Sequence, residues 1–122
     1  MLKSIDPTVT SSWKALQASY EKNKDKTIAQ ILKEEPKRVD KLSFTIENEI
    51  IVDLSKNSIT QETLDILHKL ADECDLKGAT EARFNGEKIN RTEDRAVLHI
   101  ALRNLSNTPI FVDGKNVMDD VN

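Results

Sequence analysis

The residues with the clearest capacity for chemistry are a histidine and two arginines towards the end of the chain. His99 lies in a run of seven residues, Ala96 to Leu102, that is otherwise apolar, and Arg95 and Arg103 lie four residues before and after it. Spacings of four place side chains on one face of an α-helix. Two guanidinium groups beside an imidazole could bind an anion and transfer a proton. The alternative is an inert, buried histidine, and the residues favour it because an active site normally needs another titratable partner.

A second candidate is the single cysteine. Cys74 could act as a nucleophile if His68 or His99 lay beside it in space. Its position on the apolar face of a predicted helix instead indicates a small buried hydrophobic residue. His68 and Cys74 are six residues apart and do not share a helix face, and the sequence contains neither a CxxC nor an HExxH pattern.

Two further patterns also lack the chemistry that they first suggest. Asp72, Glu73 and Asp75 form an acidic cluster, but its spacing does not match a calcium loop with a glycine bend, so a solvated helix end is favoured. Gly114-Lys115 is not a phosphate loop, because the upstream glycine is missing and Asn116 occupies the Ser/Thr position. The sequence therefore predicts no catalytic, cofactor-binding, substrate-binding or metal-binding residue.

Composition argues against nucleic acid as a partner. The 122 residues carry 18 basic and 21 acidic side chains, a net charge of −3. The basic residues of the first third alternate with acidic ones, which is typical of a solvated surface rather than a phosphate-binding stripe. The basic members are Lys22, Lys24, Lys26, Lys37, Arg38 and Lys41, and the acidic members are Glu21, Asp25, Glu34, Glu35 and Asp40.

The sequence also bears on cellular compartment. A lone cysteine cannot form an intrachain disulfide. The opening "MLKSIDPTVT" has no apolar region of the kind found in a signal peptide, and no apolar run approaches the roughly 20 residues that cross a bilayer. We therefore expect a cytoplasmic protein without a membrane partner.

Apolar periodicity predicts an α+β fold that is mainly helical. Pro7 and Thr8 begin a first helix, and a second, short helix is capped by Thr27 and ended by Pro36. The apolar face of the first helix comprises Val9, Trp13, Leu16 and Tyr20, and that of the second comprises Ile28, Ile31 and Leu32.

A β-hairpin with one buried face is predicted over about residues 42–54. Leu42, Phe44 and Ile46 alternate with polar residues, and Ile50, Val52 and Leu54 do the same after the separator Glu47-Asn48-Glu49. The turn type stays open because the turn lacks glycine. A long helix follows, with Thr60 as its cap, Glu62 in its first turn, and Leu64, Leu67, Leu70, Ala71 and Cys74 on one face.

The last third is predicted to contain two helices and a short strand. Asp75 caps a helix over 76–84, which Asn85-Gly86 ends. Another helix begins near Asn90 or Thr92, where Glu93 completes a capping box, and its apolar run is predicted to be buried on most sides. A short buried strand is predicted over about 110–112, a turn at Asp113-Gly114, and then the approach to a further helix.

Several stretches closely resemble the N-terminal region of the glucose-6-phosphate isomerase (phosphoglucose isomerase) family, in its bacterial form. They are "PTVTSSWKALQ", "DLSKNSITQETLDILHKLADECDL", "GEKINRTEDRAVLHIALRN" and "SNTPIFVDGKNVM", in the family's order. The resemblance runs from about Asp6 to Asn122, and Gly86 to Met118 is its most specific part.

The resemblance implies a cytosolic homodimer of αβα sugar-isomerase domains that interconverts glucose 6-phosphate and fructose 6-phosphate without a cofactor. In that family a His and a Lys assist ring opening and a Glu moves a proton through an enediol. Their motifs are not found in residues 1–122, and His99 does not correspond to the family's catalytic histidine. The resemblance thus implies an N-terminal segment that holds no complete catalytic domain, is inactive alone, and associates or needs the rest of the enzyme.

Two other hypotheses remain beside this one. The chain could be an independent, non-catalytic interaction module, which would fold cooperatively as a monomer. It could also be a small enzyme centred on His99, Arg95 and Arg103, the hypothesis that the residues favour least.

Overall fold

The computed structural model describes residues 3–121, which form two compact units. One unit spans residues 11–68, and the other combines residues up to Thr10 with those from Lys69 onward. Five α-helices, two pairs of antiparallel strands and three 3-10 helices make up the described part of the chain. The mixture of helices and small antiparallel strand pairs agrees with the predicted α+β class.

The 11–68 unit begins with three helices and a hairpin. They are α1 (Ser11–Asn23), α2 (Ile28–Glu34), α3 (Arg38–Leu42), β1 (Ser43–Ile46) and β2 (Ile50–Asp53). Helix α4 (Gln61–Glu73) follows, and the boundary between the units falls within it. The Thr60 cap is confirmed, because the Thr60 hydroxyl accepts a hydrogen bond from the Thr63 N–H at 3.1 Å.

Helix α1 differs from its prediction in both start and face. Pro7–Val9 form a separate 3-10 turn capped by Asp6, and the chain is extended at Thr10 before α1 begins. Ser12 and Ser19 are the buried residues of α1, whereas Tyr20 is 65% exposed. The predicted apolar face is therefore wrong at Tyr20, because the buried face is small and polar, and the Ser19 hydroxyl lies 3.1 Å from that of Thr63.

Helix α2 forms as predicted, through its own capping chemistry. The Thr27 hydroxyl accepts a hydrogen bond from the Gln30 N–H, and the Gln30 side chain accepts one from the Thr27 N–H. This reciprocal pair satisfies two backbone donors that would otherwise lack a partner. The helix ends at Glu34, before Pro36, and buries Ile31.

The short helix α3 was not predicted, and it contains the most deeply buried charged side chain of its unit, that of Arg38. Arg38 is 1% exposed, so its assignment to a solvated surface is wrong. Its Nε donates to the carbonyl of Ser55 at 2.7 Å, and its Nη2 donates to the carbonyls of Asn57 and Ile59 at 2.8 and 2.5 Å. Nη1 pairs with Glu35 at 3.1 Å. The guanidinium thus holds the loop between β2 and α4.

The predicted hairpin is confirmed, and the structure identifies its turn. Ile46 pairs with Ile50, and the Glu49 N–H donates to the Ile46 carbonyl at 3.0 Å. Glu47 and Asn48 both have positive φ, 50° and 59°. Positive φ at both central residues is the pattern of a type I′ turn, whose twist suits a hairpin even without glycine.

The predicted burial of one hairpin face is confirmed at its base, where Leu42 is 3% exposed and Leu54 is half-buried, and is wrong nearer the turn. Phe44, Ile46, Ile50 and Val52 share that face through the pairs Phe44↔Val52 and Ile46↔Ile50, and together we call them the hairpin face. Phe44, Ile46 and Ile50 are 51%, 46% and 57% exposed, and Val52 is half-buried. The alternation fixed which residues share a face, but packing of other elements decides whether that face is covered.

In the second unit, helix α5 (Leu76–Phe84) has the predicted boundaries. The Asp75 side chain accepts a hydrogen bond from the Gly78 N–H at 3.2 Å. After Asn85, Gly86 adopts φ +73°, a conformation that glycine enters without steric cost.

The stretch from 90 to 104 is not the predicted α-helix. Asn90 does accept hydrogen bonds from Thr92 and Glu93, but they close a tight turn. Asp94 has φ +49°, and Asn90 and Arg95 then pair in an antiparallel bridge. Because the left-handed residue reverses the chain, the capping signals do not lead into a helix.

A 3-10 helix (Leu98–Arg103) replaces the predicted helix in the apolar run. Only Ala101 of that helix is buried, and Leu102 is 73% exposed, so burial on most sides is also wrong. Ala101 forms a small core with Ile110 and Met118, against which Leu98, Ile100 and Val117 pack.

The predicted strand near 110–112 is confirmed as β3 (Phe111–Val112), and it pairs with β4 (Lys115–Asn116) across the turn at Asp113-Gly114. Ile110 is buried, but Phe111 is 57% exposed, so the strand is only partly buried. A 3-10 helix (Val117–Asp120) follows where the sequence predicts the approach to a helix. No helix in the described residues is long and apolar enough to span a membrane.

Candidate functional site

The second unit contains an open cleft of about 540 Å³. Three segments line it: the end of α5, the 98–103 3-10 helix and the loop that leads to β3. The lining residues are Arg83, Phe84, Asn85, His99, Ile100, Arg103, Asn104, Thr108, Pro109 and Ile110. We call this feature the basic cleft.

Local hydrogen bonds shape the loop side of the basic cleft. The Asn104 side chain donates to the Thr108 carbonyl at 2.7 Å and accepts from the Ser106 hydroxyl at 2.8 Å. Asn107 takes a left-handed conformation with φ 58°, which closes the loop. Arg103 is held more loosely, since its Nη1 lies 3.4 Å from the His99 carbonyl.

The charged side chains among the described lining residues of the basic cleft are two arginines. The described lining also contains a histidine, and it contains no carboxylate. Arg95 and Arg38 form ion pairs with Glu93 and Glu35, but neither Arg83 nor Arg103 forms one with a described residue. The Nε of Arg83 is buried and has no hydrogen-bond partner within residues 3–121. Two uncompensated guanidinium groups make the basic cleft suited to an anion.

The structure brings together only part of the predicted His–Arg group. His99 and Arg103 line the basic cleft, but Arg95 lies outside it, in the turn before the 3-10 helix. His99 is exposed, so its predicted burial in the core is wrong, whereas its predicted lack of a catalytic role stays a prediction. The Arg95–His99–Arg103 helix face does not form because residues 90–97 are not helical.

Sequence reasoning missed Arg83. This residue is located in the last turn of α5, where a basic side chain interacts favourably with the helix dipole and needs no further role. Its 16-residue separation from His99 follows no periodicity that a single helix or strand would produce. Only the path of the chain from Gly86 to Val97 brings the two side chains to one cleft.

The remaining candidates are not assembled into a site. His68 is exposed and Cys74 is half-buried just after α4. Among residues 3–121, no group of three or more His, Cys, Asp or Glu side chains could hold a metal ion. Lys115 pairs with Asp120 at 2.6 Å, a contact that raises the pKa of Lys115.

Lys88 links two turns of the same unit. Its ammonium lies 3.1 Å from Asp113, in the β3–β4 turn, and 3.3 Å from Asp94, in the 90–95 turn. The hydrogen bonds that the ammonium donates to Asp113 and, with smaller effect, to Asp94 raise the pKa of Lys88 above its ordinary value. Both aspartates have positive φ, so Lys88 neutralises two carboxylates that lie in left-handed turns.

The helices and the small antiparallel strand pairs are those of an α+β protein. A family model described as phosphoglucose isomerase matches residues 53–122, which is more than half of the chain. The chain belongs to the phosphoglucose isomerase family. The matched region begins at the end of β2 and includes α4, α5, the 3-10 helix at 98–103 and the β3–β4 pair.

Proposed function

We propose that the chain is an N-terminal scaffold segment of a bacterial-type glucose-6-phosphate isomerase. The whole enzyme interconverts glucose 6-phosphate and fructose 6-phosphate by enediol acid–base catalysis, in glycolysis and gluconeogenesis. The observation that carries this proposal is the family match over residues 53–122. In this proposal the catalytic Glu, His and Lys lie outside these 122 residues, and the complete enzyme is a cytoplasmic homodimer that needs no cofactor.

Exposed apolar side chains support a scaffold role. Leu105 is fully exposed, Leu102 is 73% exposed, and Ile51 is 77% exposed. Leu102 and Leu105 lie three residues apart in one unit, and neighbouring exposed apolar side chains can mark a contact with other protein. We infer that other parts of the enzyme cover these side chains.

The proposal is tested by assaying the purified 122-residue chain with fructose 6-phosphate, coupling glucose 6-phosphate formation to NADP⁺ reduction. We expect no turnover above the enzyme-free control. Co-expression with the remaining portion of a bacterial isomerase of this family should yield an active complex. Turnover by the isolated chain, or failure of the pair to assemble and act, would contradict the proposal.

An independent interaction module is the second candidate, and exposure of the hairpin face is the observation that favours it. A module of this kind would bind a separate protein and contribute nothing to isomerisation. The co-expression experiment separates the two, because only the scaffold proposal expects activity to depend on this chain.

A further inference from the structure

We propose that the basic cleft binds a small organic anion, a phosphate monoester or carboxylate that carries an apolar body. This inference rests on the lining of the basic cleft alone and does not require that the chain is part of an isomerase. It assigns to Arg83 and Arg103 the role of holding the anionic group.

Neither arginine of the basic cleft forms an ion pair with a described residue. An arginine presents five N–H donors and is charged at every pH of interest, so Arg83 and Arg103 can offer donors to a bound anion. The described lining residues include no carboxylate that would compete with that anion. The guanidinium fork matches the two oxygens of a carboxylate or phosphate.

Apolar side chains account for four of the eight remaining lining residues: Phe84, Ile100, Pro109 and Ile110. Phe84, the last residue of α5, is 60% exposed. A volume of about 540 Å³ also lies within the usual range for small-molecule sites. An apolar body would fill this part of the basic cleft and leave its anionic end beside the arginines.

The same lining disfavours a sugar as the ligand body. Sugar hydroxyls removed from water need hydrogen-bond partners, and leaving them unmatched is costly. The Asn104 amide is already engaged with Thr108 and Ser106, and the Thr108 hydroxyl lies 2.7 Å from that of Ser106. Asn85 and His99 remain as polar lining side chains, which is fewer groups than the hydroxyls of a hexose require, so an aromatic or aliphatic body suits the basic cleft better.

Equilibrium dialysis with phenyl phosphate, benzoate, inorganic phosphate, benzyl alcohol and glucose 6-phosphate tests the proposal. Phenyl phosphate or benzoate should bind about tenfold or more tightly than each of the other three, because only these two combine the charge with an apolar body. Equal binding of inorganic phosphate, benzyl alcohol or glucose 6-phosphate would overturn the proposal.

Arginine variants locate the binding. Arg83→Met and Arg103→Met keep much of the side-chain volume and should each raise the Kd about tenfold or more. Arg95→Met is the matched control. This variant removes the same charge, but Arg95 lies outside the basic cleft and pairs with Glu93. Circular dichroism confirms that each variant is folded, and Arg103→Lys should bind more tightly than Arg103→Met. An equal effect of Arg95→Met, or no effect of both cleft variants, would overturn the proposal.

Discussion

The buried guanidinium of Arg38 has a structural role in the 11–68 unit, where it joins helix α3 to the loop between β2 and α4. It reaches three backbone carbonyls and one carboxylate, and the three carbonyls belong to the loop that links β2 to α4. Carbonyls in a loop have no regular secondary-structure partners, so a multi-donor side chain can satisfy several at once. Arg38 therefore fixes the loop that joins the hairpin to α4.

Replacing Arg38 with methionine should lower the free energy of unfolding by about 3 kcal/mol, because buried carbonyls and Glu35 lose charged hydrogen-bond donors. Urea unfolding followed by circular dichroism measures the change. The adjacent, exposed Lys37 provides the control, since Lys37→Met should change stability by no more than about 0.5 kcal/mol. Equal effects at the two positions would contradict a connecting role for Arg38.

Lys88 makes a pH-dependent contribution with a defined sign. Its folded-state pKa is raised by Asp113 and Asp94, so the folded state retains the proton more strongly than the unfolded chain does. The resulting stabilisation is complete below the unfolded-state value of about 10.4 and disappears as the pH rises through the higher folded-state value.

The stability difference between the parent chain and Lys88→Met should therefore be present at about pH 8 and shrink as the pH rises above the ordinary lysine value of about 10.4. Urea unfolding at a series of pH values measures it. Lys77→Met serves for comparison, because Lys77 is exposed and forms no ion pair with a described residue. If the stability difference between the parent chain and Lys88→Met stayed constant with pH, the ion pairs of Lys88 would not be its source.

At the level of elements, residues in the left-handed backbone conformation determine where the chain of the second unit reverses direction. Asp94, Asn107 and Asp113 have positive φ, as do the glycines Gly86 and Gly114. Asp and Asn tolerate this conformation better than most residues because their short side chains bond to nearby backbone. The two glycines differ in their surroundings, which makes them a useful pair.

Gly86→Ala should destabilise the fold far more than Gly114→Ala. A Cβ at Gly86 would lie 2.6 Å from the Phe111 carbonyl oxygen, whereas one at Gly114 would meet nothing within 4 Å. We expect a loss of about 3 kcal/mol at Gly86, from positive φ and the backbone clash together, and about 1 kcal/mol at Gly114, from φ alone. Thermal and urea unfolding of both variants measure the difference, and similar losses would contradict the close approach of Gly86 to β3.

For the whole molecule, exposed apolar surface predicts association of the isolated chain. The hairpin face presents Phe44, Ile46 and Ile50 at about half exposure, and neither of its strands pairs with a third strand among the described residues. Unpaired strand edges with apolar faces favour pairing with other chains.

Sedimentation velocity should show a sedimentation coefficient that rises with protein concentration. The double variant Phe44→Lys and Ile50→Lys should weaken association, because it places charges on the hairpin face. Ser58→Lys adds a charge at an exposed position outside that face and should leave association unchanged. A stable monomer at all concentrations would favour the independent module.

Local interactions explain which parts of the fold follow from sequence. Helices α2 and α5, the Thr60 cap of α4, the hairpin and the Asp113-Gly114 turn are each specified by residues within a few positions of one another. Their capping and turn hydrogen bonds form without help from distant residues. The family resemblance is also a property of the sequence, and the match over residues 53–122 confirms it.

Tertiary structure alone decided the rest, because burial depends on which distant elements meet. The sequence could not reveal that Arg38 is buried, that His99 is exposed, or that the hairpin face is open. The same capping residues at 90–93 that predicted a helix close a turn instead, because Asp94 reverses the chain. That reversal also brings Arg83, His99 and Arg103 to one cleft, a convergence that no spacing along the chain encodes.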